Sequence, residues 1–170
     1  KLVDNTNETL LVKHSDAENT YSSFSIGSAV LSDGHGALAD PGRVYFHSRN
    51  QIPNASSLGL VNTGVYTHIA ISFNQTSVSF YINGQYSGTT NGDYSITNDL
   101  SVTSVWLGRF VYSGCMDGVM DDFSIWNQNL TQQEIQNYMS CPPTGNETGL
   151  VGYWNFEEGS GTTVFDQTTN

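Results

Sequence analysis

Positive charge is what this sequence has least of: five Lys and Arg face 16 Asp and Glu, for a net charge of −11. A nucleic-acid surface is built from cations set against phosphates, and so thin a supply excludes that class of partner. Charge of either sign is scarce, at 12% of residues, so Asn, Thr, Ser and Gln carry the polarity. Long hydrophobic runs are missing as well. No stretch nears the roughly 18 apolar residues of a membrane-spanning helix, and no leader peptide is visible. Cysteine is limited to Cys115 and Cys141. They lack metal-ligand spacing, and neither has a neighbouring His to activate a nucleophile. A disulfide between them is the expectation, with two buried thiols as the alternative. Closing that loop would stabilise the fold by about 3–4 kcal/mol through its effect on the unfolded chain.

What is present suits a sheet. Apolar and polar residues alternate in "YSSFSIG", "RVYFHS", "YTHIAISF", "SVSFYING", "SVWLGRFVY" and "GVMDDFSIW". Period two places Ile69, Ile71 and Phe73 on one face of their strand, and Val78, Phe80 and Ile82 on one face of the next. Asn83-Gly84 between those two runs marks a hairpin turn, because both central residues must take positive φ. Short strands at such even spacing predict an all-β fold, a two-sheet antiparallel β-sandwich or jelly roll. One short helix is expected over 132–139. Thr131 caps it, Glu134 completes a capping box, Leu130 and Ile135 form a hydrophobic staple, and Cys141-Pro142-Pro143 ends it. The expected organisation is one module over 1–141, a linker over 142–148 and a strand-bearing tail over 149–170. The opening at Lys1 reads as mid-domain sequence, as if cut from a longer protein. Sequons at Asn7, Asn54, Asn74, Asn129 and Asn146 permit glycosylation in a eukaryotic secretory pathway, chance occurrence in so Asn- and Thr-rich a chain being the alternative; with the cysteine pair they lean towards an extracellular or cell-surface setting.

Three stretches, in order across Tyr66–Tyr138, carry a family resemblance: "YTHIAISFNQTSVSFYINGQYSG", "VWLGRF" and "GVMDDFSIWNQNLTQQEI". Together they resemble the laminin-G-like, concanavalin A-like lectin and glucanase jelly roll, in its pentraxin-related branch. The resemblance implies two antiparallel sheets, one of them concave. It departs from the family at the ends. "GLVGYWNFEEGSGTTVFDQTTN" is similar to the family's opening strand yet comes last, and a strand expected before "TLLVK" is missing. The tail then either begins a next repeat or completes the sheet by permutation or by strand exchange with a neighbouring domain or chain. Completion is favoured, since an open sheet edge invites pairing.

Glucanases of this family hold two carboxylates on one strand, roughly 5–5.5 Å apart for a retaining mechanism. No such run exists in this sequence. Asp117, Asp121 and Asp122 lack the accompanying glutamates, and Glu157 and Glu158 are adjacent, so on a strand they would face opposite sides. His14, His35, His47 and His68 are widely separated in sequence, and no Ser-His-Asp or Cys-His signature is recognisable. The expectation is no catalysis. "MDDFSIW" resembles the glucanases' last strand, where an aspartate binds structural calcium. By that match Asp121 is the implied metal ligand, with Asp122 the neighbour most easily confused with it. Alternatively, Asp121 only accepts hydrogen bonds. Trp106 is a candidate stacking platform for a sugar ring or a packing residue, and Tyr112, in the loop before Cys115, is a second candidate sugar contact. His68 is expected in the core, His35 in a turn, and Trp126 and Trp154 in or over the core. The function expected is extracellular recognition of a glycan or glycoprotein, with calcium as a supporting ion. A ligand-free spacer of a large secreted adhesin and a glycoside-acting enzyme are the alternatives.

Overall fold

A computed structural model describes residues 8–15, 20–26, 42–48, 55–94, 102–108 and 116–169 of the chain. Tyr112 and Cys115 lie outside these residues, as do His35 and the sequons at Asn7 and Asn54. The chain packs as two units, Lys1–Gly118 and Val119–Asn170.

The first unit is a sandwich of antiparallel strands. Its strands are β1 (Glu8–Ser15), β2 (Thr20–Ile26), β3 (Arg43–Ser48), β4 (Ala55–Leu60), β5 (Ile69–Phe73), β6 (Ser77–Ile82), β7 (Gln85–Asn91) and β8 (Val102–Leu107). One sheet has the order β4-β3-β2-β1-β8 and the other β5-β6-β7. Their inner faces meet in a core of Val44, Phe46, Ala55 and Val61 against Val78, Phe80 and Tyr94, with Ile69, Ile71 and Ile82 packed around it. Phe73 stacks on Phe46 with ring centroids 5.2 Å apart. The faces assigned by alternation are therefore the faces observed, because one side of each strand must leave water. The hairpin between β6 and β7 turns on Asn83 at φ 50 and Gly84 at φ 70. Its Asn83 Oδ1 accepts the His68 N–H at 3.0 Å.

Where the edges of the two sheets approach, hydroxyls take the place of a backbone ladder. Ser87 Oγ on β7 accepts the Gly59 N–H of β4 at 2.7 Å. Ser57 Oγ accepts the Val44 N–H at 3.0 Å and donates to the Gly59 carbonyl at 2.7 Å. Both serines are buried, so these bonds satisfy backbone groups that would otherwise be stranded.

The second unit contains β9 (Phe123–Trp126), α1 (Gln132–Ser140) and β10 (Leu150–Trp154). β9 and β10 pair antiparallel, Leu150 opposite Trp126 and Trp154 opposite Phe123. The helix begins where its capping box requires. The Thr131 N–H donates to Glu134 Oε2 at 2.7 Å, and the Glu134 N–H donates back to Thr131 Oγ1 at 3.3 Å. It runs one residue past the expected end, to Ser140. Ile135 is buried, and the Tyr138 ring lies 4.8 Å from that of Trp126.

Residues 142–148, expected as a linker, form a hydrogen-bonded loop. The Glu147 carboxylate accepts from Thr144 N–H at 2.8 Å, Thr144 Oγ1 at 2.9 Å and Gly145 N–H at 3.0 Å. After β10 the chain doubles back along that strand. The Gln167 N–H donates to the Tyr153 carbonyl at 2.7 Å, and the Tyr153 N–H donates to Asp166 Oδ1 at 3.0 Å. The outward backbone groups of Tyr153 are thus occupied by the chain's own tail, which shields that part of the strand edge from foreign pairing.

Candidate functional site

Asp121 and Asp122 immediately precede β9, and both are exposed. Asp122 sits at φ 51, a left-handed conformation that Asp tolerates better than most residues. This turn aims its carboxylate at β10, where Oδ1 accepts the Tyr153 hydroxyl at 2.6 Å. Tyr153 is only 5% exposed. Burial pushes its phenol well above the ordinary value, and the hydrogen bond to Asp122 and the charges of Asp122, Asp121 and Glu147 push it further. Asp121 Oδ1 accepts the Asp122 N–H at 3.1 Å. The first of the pair shapes the turn and the second ties it to the neighbouring strand.

Calcium takes about six to eight oxygens. Among the described residues no three His, Cys, Asp or Glu side chains gather where they could hold a metal. One of the two candidate carboxylates is already engaged by a phenol. The expected disulfide is not seen: Cys141 is a free thiol, exposed where it caps α1, and its expected partner Cys115 falls outside the described residues.

Trp106 lies half-buried on β8, opposite Val12 of β1. A more open aromatic surface stands on the outer face of the three-stranded sheet. Tyr86 on β7 is 55% exposed and meets Tyr81 of β6 edge to face, ring centroids 5.9 Å apart at 71°. The Tyr86 hydroxyl donates to Thr89 Oγ1 at 2.9 Å, and Thr89 Oγ1 lies 2.7 Å from Ser79 Oγ. Strict alternation would put Tyr86 and Thr89 on opposite faces. A bulge brings them together. Tyr81 pairs with Tyr86 but Ser79 pairs with Thr89, so β7 spends one residue more than β6 over the same span. Gly88 absorbs the excess at φ 103. Reading the sequence by period two therefore missed this face; the signal was a glycine inside a strand, which marks a bulge.

Two antiparallel sheets packed face to face define the jelly-roll class of all-β domains. The chain belongs to the concanavalin A-like lectin/glucanase superfamily, whose laminin-G-type family model matches residues 3–136. Among solved structures it resembles a Bacteroides ovatus protein with a provisional carbohydrate-binding assignment. The two share 14% identity and a TM-score of 0.61, over 98% of this chain and 50% of that one. The chain thus spans half the length of that protein. It also resembles an S-layer domain-containing protein of Clostridium thermocellum at 19% identity and a TM-score of 0.43, over 82% of this chain and 65% of that one. No curated protein matches.

Proposed function

We propose that this chain is a non-catalytic carbohydrate-binding module acting outside the cell or on its surface, with Tyr86 and its neighbours as the sugar contact. The observation that carries the reading is the Tyr81–Tyr86 face with the Ser79–Thr89 hydroxyl pair beside it. A pyranose has an apolar C–H face and a rim of hydroxyls. An exposed ring covers the first, while neighbouring side-chain hydroxyls answer the second directionally. The Tyr81 hydroxyl makes no hydrogen bond among the described residues and is available to a ligand. The family and the provisional assignment of the Bacteroides protein support the same ligand class.

The shifted carboxyls of the second unit are all held towards their ionised form. A glycosidase's general acid is a carboxyl whose pKa has been raised. Glu134, Glu147 and Asp166 lie instead below their ordinary values. The Thr131 hydroxyl and N–H hold Glu134 low, and the N–H groups of Tyr153 and Thr168 hold Asp166 low. At Glu147 desolvation pushes upward, but the Thr144 and Gly145 donors together outweigh it. No step of the reading uses calcium.

Glycan-array binding followed by titration tests it. Tyr86→Ala weakens the best neutral glycan by about tenfold, which is about 1.4 kcal/mol, while Trp106→Ala leaves affinity unchanged. An array without any binder favours the ligand-free spacer. Binding that survives Tyr86→Ala but is lost in Trp106→Ala moves the site to β8.

A further inference from the structure

The second unit holds an open cavity of about 490 Å³ between the loop after α1 and the returning tail. That volume lies within the roughly 300–1,000 Å³ of small-ligand sites. Its apolar part is Leu150, 6% exposed, and Val151, 44% exposed. Its polar part is Asn127, Asn146 and Thr169, all exposed, with Glu147 behind them. The side chains of Asn127 and Asn146 make no hydrogen bond among the described residues. The backbone around them is nevertheless pinned. The Asn127 N–H donates to the Gly149 carbonyl at 2.8 Å. Gly145, at φ 100, lets the tail pass so close that an added Cβ would strike the Gln167 carbonyl. The pocket is therefore formed before any ligand arrives, which lowers the ordering cost of binding.

Its chemistry selects by exclusion. Among the described residues, no Lys, Arg or His lines it. The Glu147 carboxyl is held below its ordinary value, so it is ionised at neutral pH and disfavours phosphates, sulfates and uronates. Both Glu147 oxygens already accept from Thr144 and Gly145, which leaves a cation little to bind. Two free amides remain, each offering an acceptor oxygen and an NH₂ donor, beside an apolar floor. Adjacent hydroxyls above a C–H face complement that set.

We infer that this cavity is a second saccharide subsite, taking one neutral sugar residue between the amides of Asn127 and Asn146. The inference rests on the proposed carbohydrate-binding reading for its ligand class but uses none of the residues of the tyrosine face.

The test is amide NMR on the full chain, titrated with laminaritriose, xylotriose and triacetylchitotriose, with trigalacturonate as the anionic control. Asn146 opens a sequon, so the protein is made in a host that does not N-glycosylate. The expected result is movement of the Asn127 and Asn146 side-chain amides with at least one neutral trisaccharide and none with trigalacturonate. Asn127→Ala weakens that response about tenfold and leaves the response at Tyr86 intact. Its side chain is exposed and unbonded, so the variant folds. Neutral sugars that move only Tyr86 and Thr89 overturn the subsite and leave the tyrosine face standing. Movement confined to Asn127 and Asn146 supports the subsite and overturns the face. Silence at both places overturns both, and an equal response to trigalacturonate overturns the neutral ligand class.

Discussion

Replacing Tyr153 by Phe removes one hydroxyl from β10 and leaves the ring to pack as before. The bond lost is the 2.6 Å contact to Asp122 Oδ1, short as charge-assisted hydrogen bonds are. Hydrogen bonds to charged groups contribute about 1.5–3 kcal/mol. Asp122 is exposed, so its freed carboxylate rehydrates and the cost falls at the low end, about 1.5 kcal/mol. Asp122→Gly loses the same bond but relieves a positive φ of 51. It should therefore destabilise less than Tyr153→Phe, the relief offsetting about 1 kcal/mol. The assay is urea unfolding followed by tryptophan fluorescence in a Trp106→Phe background, which leaves Trp126 and Trp154 to report on the second unit. Two units need not unfold together, so the signal must come from one of them. With m near 1–3 kcal/mol/M, the midpoint should fall by roughly 0.5–1.5 M in Tyr153→Phe. A double-mutant cycle with Asp122→Ala should return a coupling of about 1 kcal/mol or more. An additive cycle, or an Asp122→Gly variant weaker than Tyr153→Phe, would refute the idea that this aspartate serves as a strand tie.

Three further outcomes are expected. Glu134, Glu147 and Asp166 all have folded pKa values below their ordinary ones, so their stabilisation is complete above about pH 4.5 and is lost as pH falls through the lowered values; Glu147→Gln should flatten that acid limb, and an unchanged limb in urea titrations would contradict its role in the 144–147 loop. Gly145→Ala should cost about 2 kcal/mol or more, combining positive-φ strain with the collision at Gln167; Gly159→Ala, at φ 66 with open space around it, carries the strain alone, and hydrogen exchange at the Gln167 amide should rise only in the first. Chelator should leave the wild-type melting temperature unchanged, whereas a fall of several degrees reversed by calcium would put an ion back at Asp121.

The parts legible in advance were those settled within a few residues of chain. Asn83-Gly84 specified its turn because both residues take positive φ cheaply there. Thr131 and Glu134 specified the start of α1 because a capping box closes over three residues. Alternation identified Val78 and Phe80 as inward-facing because a strand has only two sides. Asp122 shows the opposite case. The sequence marked it only as the neighbour of Asp121, the ligand that the family resemblance implied; that it accepts from Tyr153 on another strand is something no local pattern names. Cys141 was expected as half of a clasp; it stands free and exposed at the end of α1, and Cys115 lies outside the described residues.

By itself, then, the sequence determined the sandwich class, the inward faces of its strands, its tight hairpin and its one capped helix, all consequences of short-range sterics and of moving one face out of water. The tertiary structure alone decided that Thr89 stands beside Tyr86, that Asp122 meets Tyr153, and that the tail closes over Gly145 to shape a cavity beside Asn127 and Asn146. Those placements depend on strand register and chain return, and register is set by pairing across the fold, where a single bulged residue exchanges one face for the other.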